Sequence, residues 1–429
     1  MSGMTSTPPS SISSLASLKS KTAEFLDIHK HYYGPQAEKV ALLDKLAEEG
    51  MEALENHQFQ KPSHEYNFMK GCYLMPIKSA EAEGYLEKAI KLHSKAPEEY
   101  WNRLAECLWI QGKVDDAVNT LTTCPHPSNI PGFCMLSQLS RSLHPPDYIS
   151  SSKYAKSAIS LDLTNSESWY CLGNCLVGEF FGKTFELQTL LKGVAAYNRA
   201  LDLADEVYVN PDLHYNLGKV LKYLEDFKGA KVQFDKAHGI DGSLGGDGEK
   251  RDIEEWFKKV GDMVGRKGRV KEKNIQKFVK QLRQVTVPQG NNGERVHTLS
   301  TLSSLSITPS TSTSKSSPTT TNHGLAVALR ILLPLGDGKN APARYLGITK
   351  EEEVVVVSVY HQAREFGLSQ KDEIVVLNPI LKDHVTYKGI QVFDPKGLVV
   401  NGRMADIRKF APAEAVMETF STGRETETE

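Results

Sequence analysis

The chain has 429 residues, with 51 Lys and Arg against 53 Asp and Glu, and a formal net charge of −2 at pH 7. A chain of this length predicts two to four domains. The near-neutral charge excludes a general attraction to nucleic acid or membrane, so any such binding requires a local patch of charge. No apolar run reaches the roughly 18 residues of a transmembrane helix, and the polar start is unlike a signal peptide. We therefore expect no membrane contact and a location in the cytoplasm and nucleus.

The first 60 residues divide into a polar start and a helical segment. Residues 1–13 are rich in Ser, Thr and Pro and are predicted to be disordered. Residues 14–60 carry apolar side chains at helical spacing, with a break at Gly34 and Pro35. This pattern predicts two N-terminal capping helices.

One spacing of residues occurs twice, intact, within residues 61–240. The two copies are Trp101, Leu104, Ala105, Leu108, Ala117, Leu121 and Cys124, and then His214, Leu217, Gly218, Leu221, Ala230, Phe234 and Ala237. Apolar residues three and four apart form one face of a helix, and the small residue beside the first Leu lets a partner helix approach closely. The offsets are those of the tetratricopeptide repeat, a helical hairpin of about 34 residues that stacks into a solenoid with a protein-binding concave surface.

Weaker copies of the same hairpin extend the repeat region. Trp169 and Gly173 begin a third hairpin, whose second helix starts further along the chain than the repeat spacing requires. This spacing predicts an inserted turn between Glu179 and Leu187 that faces the ligand. Upstream residues with hairpin spacing are Tyr66, Met69, Tyr73, Ala82, Leu86 and Ala89. We expect four or five hairpins, and the alternative is an ordinary bundle of amphipathic helices. The packing positions that we predict are Trp101, Leu104, Ala117, Trp169, Gly173, Leu217, Gly218, Ala230, Phe234 and Ala237.

The pattern changes after the repeats. Residues 241–285 are predicted to hold a glycine-rich connector and a basic C-terminal helix. Residues 286–322 include a possible first barrel strand, VHTLSTLSSLSI, and a Ser/Thr-rich linker. Residues 323–418 contain β-branched runs separated by Gly, Pro, Asn and Asp, which predict five or six strands of an OB-like barrel, and residues 419–429 a disordered tail. The predicted fold class is an α solenoid of tetratricopeptide hairpins followed by a small all-β OB-like barrel.

Four segments, SESWYCLGN, NPDLHYNLGKVLKY, KGRVKEKNIQKFV and LVVNGR, carry a closer resemblance. Together with the C-terminal barrel they resemble the tetratricopeptide repeat protein 5 (Strap) family over about residues 15–403. The resemblance implies a ribosome-associated adaptor that recognises the N-terminal peptide of nascent tubulin and triggers decay of the translated mRNA through an mRNA-decay adaptor. It also implies a nuclear scaffold that joins acetyltransferase coactivators in stress-responsive transcription.

The resemblance also implies a peptide site for the sequence Met-Arg-Glu. Such a site needs acidic groups for the amino terminus and the arginine, and a basic group for the glutamate. Arg141 matches the basic position, Asp212 matches an acidic position, and Asp247 in the predicted connector is the nearest candidate for a second acid. The alternative for Asp212, which follows Pro211 directly, is a helix N-cap.

A basic stretch from Arg266 to Arg283 contains eight Lys and Arg, opposed by Glu272 alone. Such a cluster predicts attraction to phosphate, and the alternative is a solvated helix face. The resemblance implies ribosomal RNA contacts at Lys271 and Lys273, to which we add Arg269 and Lys277 as candidates. The barrel segment has a balanced charge, which favours a protein-docking or structural role there, although the resemblance implies contact with coactivators or chromatin.

No sequence motif for phosphate binding, zinc-dependent proteolysis, a nucleophile elbow or dinucleotide binding occurs, so we expect no enzyme, cofactor or metal. His214 is expected to be a packed, hydrogen-bonded histidine. The alternative function is a general co-chaperone-type adaptor whose groove reads a C-terminal carboxylate. Arg103 and Lys219 are the candidate basic residues for such a clamp.

Overall fold

The computed structural model describes residues 14–57, 59, 63–204, 210–287, 297–307, 322–336, 342–360, 367–370, 372–384, 386–393 and 397–404. The predicted disordered segments 1–13 and 419–429 lie outside these residues, as does most of the Ser/Thr-rich linker. The chain divides into two compact units. The first unit comprises the described residues of Met1–Cys175, Ala196–Val209 and Asp241–Ser243, and the second comprises those of Leu176–Ala195, Asn210–Ile240 and Leu244–Glu429.

The helical part follows the predicted order of two N-terminal helices and then hairpins. The helices among the described residues are α1 (Leu15–His31), α2 (Gln36–Asn56), α3 (His64–Leu74), α4 (Ser79–Leu92), α5 (Glu98–Ile110), α6 (Val114–Thr123), α7 (Ile130–Ser142), α8 (Tyr148–Leu161), α9 (Ser166–Glu179), α10 (Leu187–Leu203), α11 (Pro211–Tyr223), α12 (Phe227–Ile240), α13 (Gly246–Gly265) and α14 (Glu272–Leu282). The helix pairs α3–α4, α5–α6, α7–α8 and α11–α12 form hairpins, in line with the predicted four or five. Helices α9 and α10 contribute residues to both units.

Glycine lets the two helices of a hairpin approach each other closely. A Cβ atom at Gly218 would lie 2.7 Å from Cε1 of the Phe234 ring, and one at Gly173 would lie 2.4 Å from Cδ1 of Tyr197. The atoms nearest to such a Cβ at Gly218 belong to the ring of Phe234, one helical turn after Ala230. Ala230 itself is fully buried.

The burial of the other predicted packing positions depends on the size of the side chain. Buried residues among them are Leu104, Ala117, Gly173, Leu217, Gly218, Phe234 and Ala237. Trp101 and Trp169 are only partly buried, and Trp169 Nε1 donates a hydrogen bond to the Leu163 carbonyl at 3.0 Å. Large indole rings at this position therefore reach the surface, while the small and aliphatic positions fill the core.

We expect Gly218→Ala to lower the free energy of unfolding by about 1–3 kcal/mol, because the added methyl group overlaps the Phe234 ring in a closely packed core. The matched control is Gly239→Ala in the second helix of the same hairpin, where an added Cβ meets no atom within 4 Å. The control should be neutral or stabilise by less than about 1 kcal/mol, since Ala favours helix. Urea unfolding followed by helical circular dichroism measures both, and equal shifts would contradict the close approach.

The inserted turn between α9 and α10 has a buried start, whereas Gly182, Lys183 and Glu186 are exposed, and its contact with a ligand stays a prediction. Helix α9 continues into a π-helical turn, Phe180–Thr184, which ends at Phe185 with φ of 51°. Phe180 and Phe181 are buried, and the Phe181 ring lies 4.9 Å from that of Tyr223 in an edge-to-face contact. Burial of these two aromatic rings anchors the start of the insertion within the second unit.

The segment predicted as a connector and one long basic helix contains two helices. Helix α13 begins at Gly246, after Gly245 with φ of 51°, so most of the glycine-rich sequence is helical. Between α13 and α14 three successive residues have positive φ, namely Lys267 at 45°, Gly268 at 64° and Arg269 at 58°. A Cβ at Gly268 would lie 2.3 Å from Leu333 Cδ2, so only glycine fits this turn.

The C-terminal part is one mixed sheet that begins before the Ser/Thr-rich linker. Its described strands are β1 (Thr298–Leu299), β2 (Leu325–Gly336), β3 (Ala343–Ile348), β4 (Val354–Val359), β5 (Glu373–Leu377), β6 (Ile380–Asp383), β7 (Lys388–Val392), β8 (Leu398–Val400) and β9 (Arg403–Met404). The strand order is β6-β7-β4-β3-β2-β5-β8-β9, and β1 pairs in parallel with β2. Strand β1 lies in the predicted first strand, whereas β3 was missed because Ile348 is its single β-branched residue.

Both faces of the sheet are covered over its central strands. Val355 and Val357 pack into the interior cluster of the sheet, whereas Val356 packs with Ile275 and Val279 of α14 on the other face. A strand that is buried on both faces reads as a continuous apolar run. The run of valines in β4 therefore follows from the helices that lie over the sheet.

A buried polar network joins the α11–α12 turn to the sheet within the second unit. One Glu225 carboxylate oxygen accepts hydrogen bonds from Arg344 Nε at 2.7 Å and from Ser358 Oγ at 2.8 Å. Gln391 Nε2 donates to the other oxygen at 3.4 Å and to the Leu224 carbonyl at 2.9 Å. Burial alone would raise the pKa of Glu225, but the charge of Arg344 and these hydrogen bonds hold it below its ordinary value.

Candidate functional site

Arg141, the predicted basic residue of the peptide site, is held at the C-terminal end of α7. Its Nη1 donates hydrogen bonds to the Ser137 carbonyl at 3.1 Å, to Ser137 Oγ at 3.2 Å and to Ser151 Oγ at 3.3 Å. The two serine hydroxyls lie 3.0 Å apart where α7 crosses α8, and both are fully buried. These contacts fix one end of the partly buried guanidinium, and Arg141 Nη1 is already occupied within the hairpin.

This hairpin is one that the sequence pattern did not reveal. Ser137 and Ser151 take the two close-contact positions that Ala or Gly occupies in the intact repeats. A search for small apolar residues does not detect them, although Ser has a similar volume. A search that allowed Ser, as well as Ala and Gly, at the two close-contact positions would have found this hairpin.

Asp212 lies in the first turn of α11 but does not cap the helix. The N-cap is Asn210, whose Oδ1 accepts a hydrogen bond from the Asp212 backbone N–H at 2.9 Å. The proposed capping role of Asp212 is therefore wrong, because Pro211 already occupies the first helical position and places Asn210 before it. The carboxylate of Asp212 lies in the first turn, near the positive end of the helix dipole. His214 is buried, with Nδ1 2.7 Å from Gln233 Oε1, as expected of a packed histidine.

Asp247 lies in the first turn of α13 and is already paired. Its carboxylate is 2.8 Å from Lys250 Nζ and 3.3 Å from His238 Nε2. The hydrogen bond from Lys250, helped by the nearby His238, lowers the pKa of Asp247. A peptide cation would have to displace these partners from Asp247. Arg141 belongs to the first unit, whereas Asp212 and Asp247 belong to the second.

The basic stretch separates into paired and unpaired side chains. Arg266 and Arg269 both pair with Asp262, at 2.8 and 3.3 Å, and Lys267 lies 3.4 Å from Glu352. The predicted contact Arg269 is therefore partly neutralised. Exposed cations for which the described residues offer no ion pair are Lys271, Lys273, Lys277, Lys280 and Arg283.

A pocket of about 190 Å³ lies in the first unit beside α6, α7 and α8. Its lining includes Leu121, Phe133, Leu136 and Tyr154, with Asn129 at its polar side. Pockets for small ligands usually exceed about 300 Å³, so this one has the size of a single large side chain. The sequence did not predict it.

Comparison with known proteins identifies the family. The profile of the tetratricopeptide repeat protein 5 OB fold domain matches residues 318–414. Tetratricopeptide repeat protein 5 of Mus musculus is 26% identical over 352 residues, which cover 78% of this chain and 79% of the mouse protein. The Homo sapiens protein is 24% identical over 351 residues, with the same coverage of 78% and 79%. These matches support an assignment to the tetratricopeptide repeat protein 5 family.

The fold of this family is the one that the sequence predicted, a tetratricopeptide solenoid followed by an OB-like domain. Solved structures that are similar to this chain include a PilF protein of Pseudomonas aeruginosa, 14% identical with a TM-score of 0.38 over 55% of this chain and 98% of that one. A tetratricopeptide repeat protein of Thermus thermophilus is 18% identical, with a TM-score of 0.35 over 42% and 91% of the two chains. The similarity to these relatives and the tetratricopeptide fold support a protein-binding adaptor.

The basic residues of a carboxylate clamp are occupied in this family member. Lys219 Nζ lies 2.7 Å from one oxygen of Glu249, and Lys222 Nζ lies 2.7 Å from the other. Burial would raise the pKa of Glu249, but the two ammonium groups lower it. Arg103 forms an ion pair with Glu106 on its own helix. Reading a C-terminal carboxylate through Arg103 and Lys219 would therefore require breaking both pairs.

The described residues set two further bounds on the chemistry. They contain no group of three or more His, Cys, Asp or Glu side chains placed to hold a metal ion. None of the described helices is long and apolar enough to cross a membrane. The outer face of β2, β3 and β4 is covered by α13 and α14, so an OB-type nucleic-acid platform on that face would be blocked.

Proposed function

We propose that this chain binds ribosomes through the basic face of α14 and recognises the N-terminal peptide of nascent tubulin. Recognition marks the translated tubulin mRNA for decay through an mRNA-decay adaptor, and the site of action is the cytoplasm. The single observation that carries the proposal is the set of unpaired lysines. Lys271 and Lys273, which the family resemblance relates to ribosomal RNA, are exposed, and the described part of the chain offers them no ion pair.

Phosphate binding follows from the chemistry of this surface. Each exposed ammonium group that meets a phosphate releases condensed counterions, which gives binding that is strong at low salt and independent of sequence. Phe278 packs beneath Arg330, with the guanidinium carbon 5.0 Å from the ring centroid, so its ring is engaged with the sheet. Contact with the RNA backbone is therefore favoured over base stacking.

The peptide part of the proposal rests on charge complementarity. The carboxylate of Asp212 suits the amino terminus or the arginine of Met-Arg-Glu. Because Asn210 caps α11, Asp212 is not required for capping. Asp247 is held by Lys250 and His238, so we assign it no leading part.

Selective ribosome profiling tests the proposed function. The tagged full-length protein is purified with its ribosomes, and the mRNAs on them are sequenced. We expect enrichment of tubulin mRNAs over all translating ribosomes, and loss of ribosomes from Lys271→Glu/Lys273→Glu. The matched control, Lys228→Glu/Lys236→Glu, makes the same charge change at two exposed lysines of α12. It should keep both the ribosomes and the enrichment of tubulin mRNAs. Recovery of ribosomes without tubulin enrichment would refute the tubulin assignment.

A further inference from the structure

Helix α1 contacts three first helices of the repeats within the first unit, each time at a glutamate. The three pairs, with the distance between nitrogen and oxygen, are Lys19–Glu65 of α3 at 2.7 Å, His29–Glu106 of α5 at 4.0 Å and Lys30–Glu167 of α9 at 3.4 Å. The first helices line the concave side of a tetratricopeptide solenoid, which is the side that binds peptides. Helix α1 therefore lies along the binding side of the repeats.

The C-terminal end of α1 lies over α7. Helix α7 is between α5 and α9, because Asn129 Nδ2 at its start donates a hydrogen bond to Asn102 of α5 at 2.7 Å, and Cys134 Sγ lies 3.7 Å from Ser168 Oγ of α9. The end of α1 reaches both α5 and α9, so it passes over the helix between them. Arg141, the basic residue that the sequence predicted for the peptide site, belongs to this helix.

The two ends of α1 are held in different ways. Leu18 and Phe25 are each 1% exposed, and the Phe25 ring lies 5.0 Å from the ring of Tyr73 in α3. Thr22 Oγ1 is buried as well and lies 3.1 Å from Tyr73 Oη. None of the residues 27–31, in contrast, is buried. The first three turns of α1 are therefore anchored in the core, and the last turn is not.

The contacts that hold the last turn of α1 are weak. The side chains of Lys30 and Glu167 are 57% and 45% exposed, so water screens their attraction. His29 Nδ1 is too far from Glu106 for a hydrogen bond, and burial lowers the pKa of His29, which disfavours its charged form. Glu106 already has a closer partner in Arg103 of its own helix. The last turn can therefore open while the anchored turns stay in place.

We propose that residues 27–31 form an autoinhibitory strap, which covers the concave side over α7 until its pair with Glu167 opens. This inference rests on the proposed recognition of a peptide by the repeats. A peptide that binds only the open form has an apparent affinity that is reduced in proportion to the fraction of open molecules. Weakening the strap should therefore tighten peptide binding, whereas loss of a residue that contacts the peptide would weaken it.

The experiment compares two glutamates that each lie in the first turn of a first helix and pair with a lysine of α1. Glu167→Gln frees the strap without changing the sequence of α1, and Glu65→Gln, the matched control, removes the pair at the anchored end. The full chain is titrated calorimetrically with a peptide that begins Met-Arg-Glu, and hydrogen exchange of residues 28–31 is followed without peptide. For Glu167→Gln we expect about threefold tighter binding and about threefold faster exchange, the size expected for one exposed ion pair. Glu65→Gln should match wild type in both measurements.

A charge exchange provides the rescue. Lys30→Glu/Glu167→Lys restores the attraction with the signs reversed, so peptide affinity and exchange should return to the wild-type values. Weaker peptide binding by Glu167→Gln would overturn the strap, because Glu167 would then belong to the peptide site. Unchanged affinity and exchange would overturn it as well, since α1 would then be a fixed wall.

Failure of the proposed function is seen separately. If wild type and all variants bind no peptide, the proposed recognition fails, and hydrogen exchange alone decides on the strap. Faster exchange of residues 28–31 in Glu167→Gln than in Glu65→Gln would then support the strap, and equal exchange in the two variants would refute it.

Discussion

Arg344→Met is expected to lower the free energy of unfolding by about 3–5 kcal/mol, because it leaves the Glu225 carboxylate buried without its main cation. Glu225 is 2% exposed and Arg344 is 7% exposed, so water cannot replace the lost contact. The remaining hydrogen bonds from Ser358 and Gln391 satisfy lone pairs but carry no positive charge. Chemical denaturation of the full chain measures the effect.

Two further variants separate charge from packing at this junction. Adding Glu225→Gln to Arg344→Met should recover much of the lost stability, since the double variant buries no unpaired charge. Arg403→Met, at an exposed position of β9, removes the same charge where no buried partner depends on it and should be nearly neutral. A single variant Arg344→Met as stable as Arg403→Met would contradict the role of the buried pair.

The pH dependence gives a second readout of the same pair. The folded-state pKa of Glu225 lies below its ordinary value, so the stability that it contributes is present in full above the unfolded pKa, at about 4.3. That stability is lost as the pH falls through the folded pKa. Glu225→Gln should therefore show a shallower loss of stability in acid than wild type.

The repeat fold could be predicted because its packing positions leave a period in the sequence. The spacing of Trp101 to Cys124 recurs from His214 to Ala237, and each copy becomes a hairpin. The valine run of β4 likewise identified a buried strand. In both cases each residue contributes to burial in a regular pattern, which a period of 3.6 or a β-branched run detects.

The departures from prediction arise where a local contact replaces the regular pattern. The serine pair of α7 and α8 packs like Ala or Gly but is polar, so that hairpin was not marked. Phe180 and Phe181 bury the start of the insertion, which no spacing indicated. Helix α13 begins in glycine-rich sequence. Its first residue, Gly246, lies so close to α12 that a Cβ there would be 2.9 Å from the Phe234 carbonyl oxygen, so glycine is needed at this position.

The sequence showed which charged residues the candidate site contains, but it did not show which of them are paired with residues of opposite charge. The excess of Lys and Arg after Arg266 is evident in the sequence. Which of these side chains are neutralised depends on Asp262 and Glu352, the second of which lies far along the chain. The cap of α11 was misassigned by two residues, because both Asn210 and Asp212 are good capping types.

The second large expected effect concerns the peptide. Asp212→Asn should weaken binding of a peptide that begins Met-Arg-Glu by about 2–5 kcal/mol, which corresponds to a loss of roughly 30-fold or more. The substitution removes the charge, and the peptide cation is then desolvated without a partner. The cap of α11 should be retained in this variant, since Asn210 supplies it.

The reverse pattern is expected of the cap itself. Asn210→Ala should cost about 1 kcal/mol of stability, because the Asp212 backbone N–H loses its acceptor, while peptide affinity stays close to wild type. The two variants therefore separate helix capping by Asn210 from peptide binding by Asp212. A loss of affinity in Asn210→Ala equal to that in Asp212→Asn would mean that the helix end, and not the carboxylate, governs binding.

Titration calorimetry of the wild-type chain with two peptides tests the central claim, that this adaptor reads the N-terminal residues of nascent tubulin. The peptides begin Met-Arg-Glu and Met-Glu-Arg, so they have equal composition and charge and differ only in order. We predict that the first binds at least tenfold more tightly, a difference of about 1.4 kcal/mol, because each charge meets its complement only in that order. Equal binding of the two peptides, or binding of neither, would contradict the account.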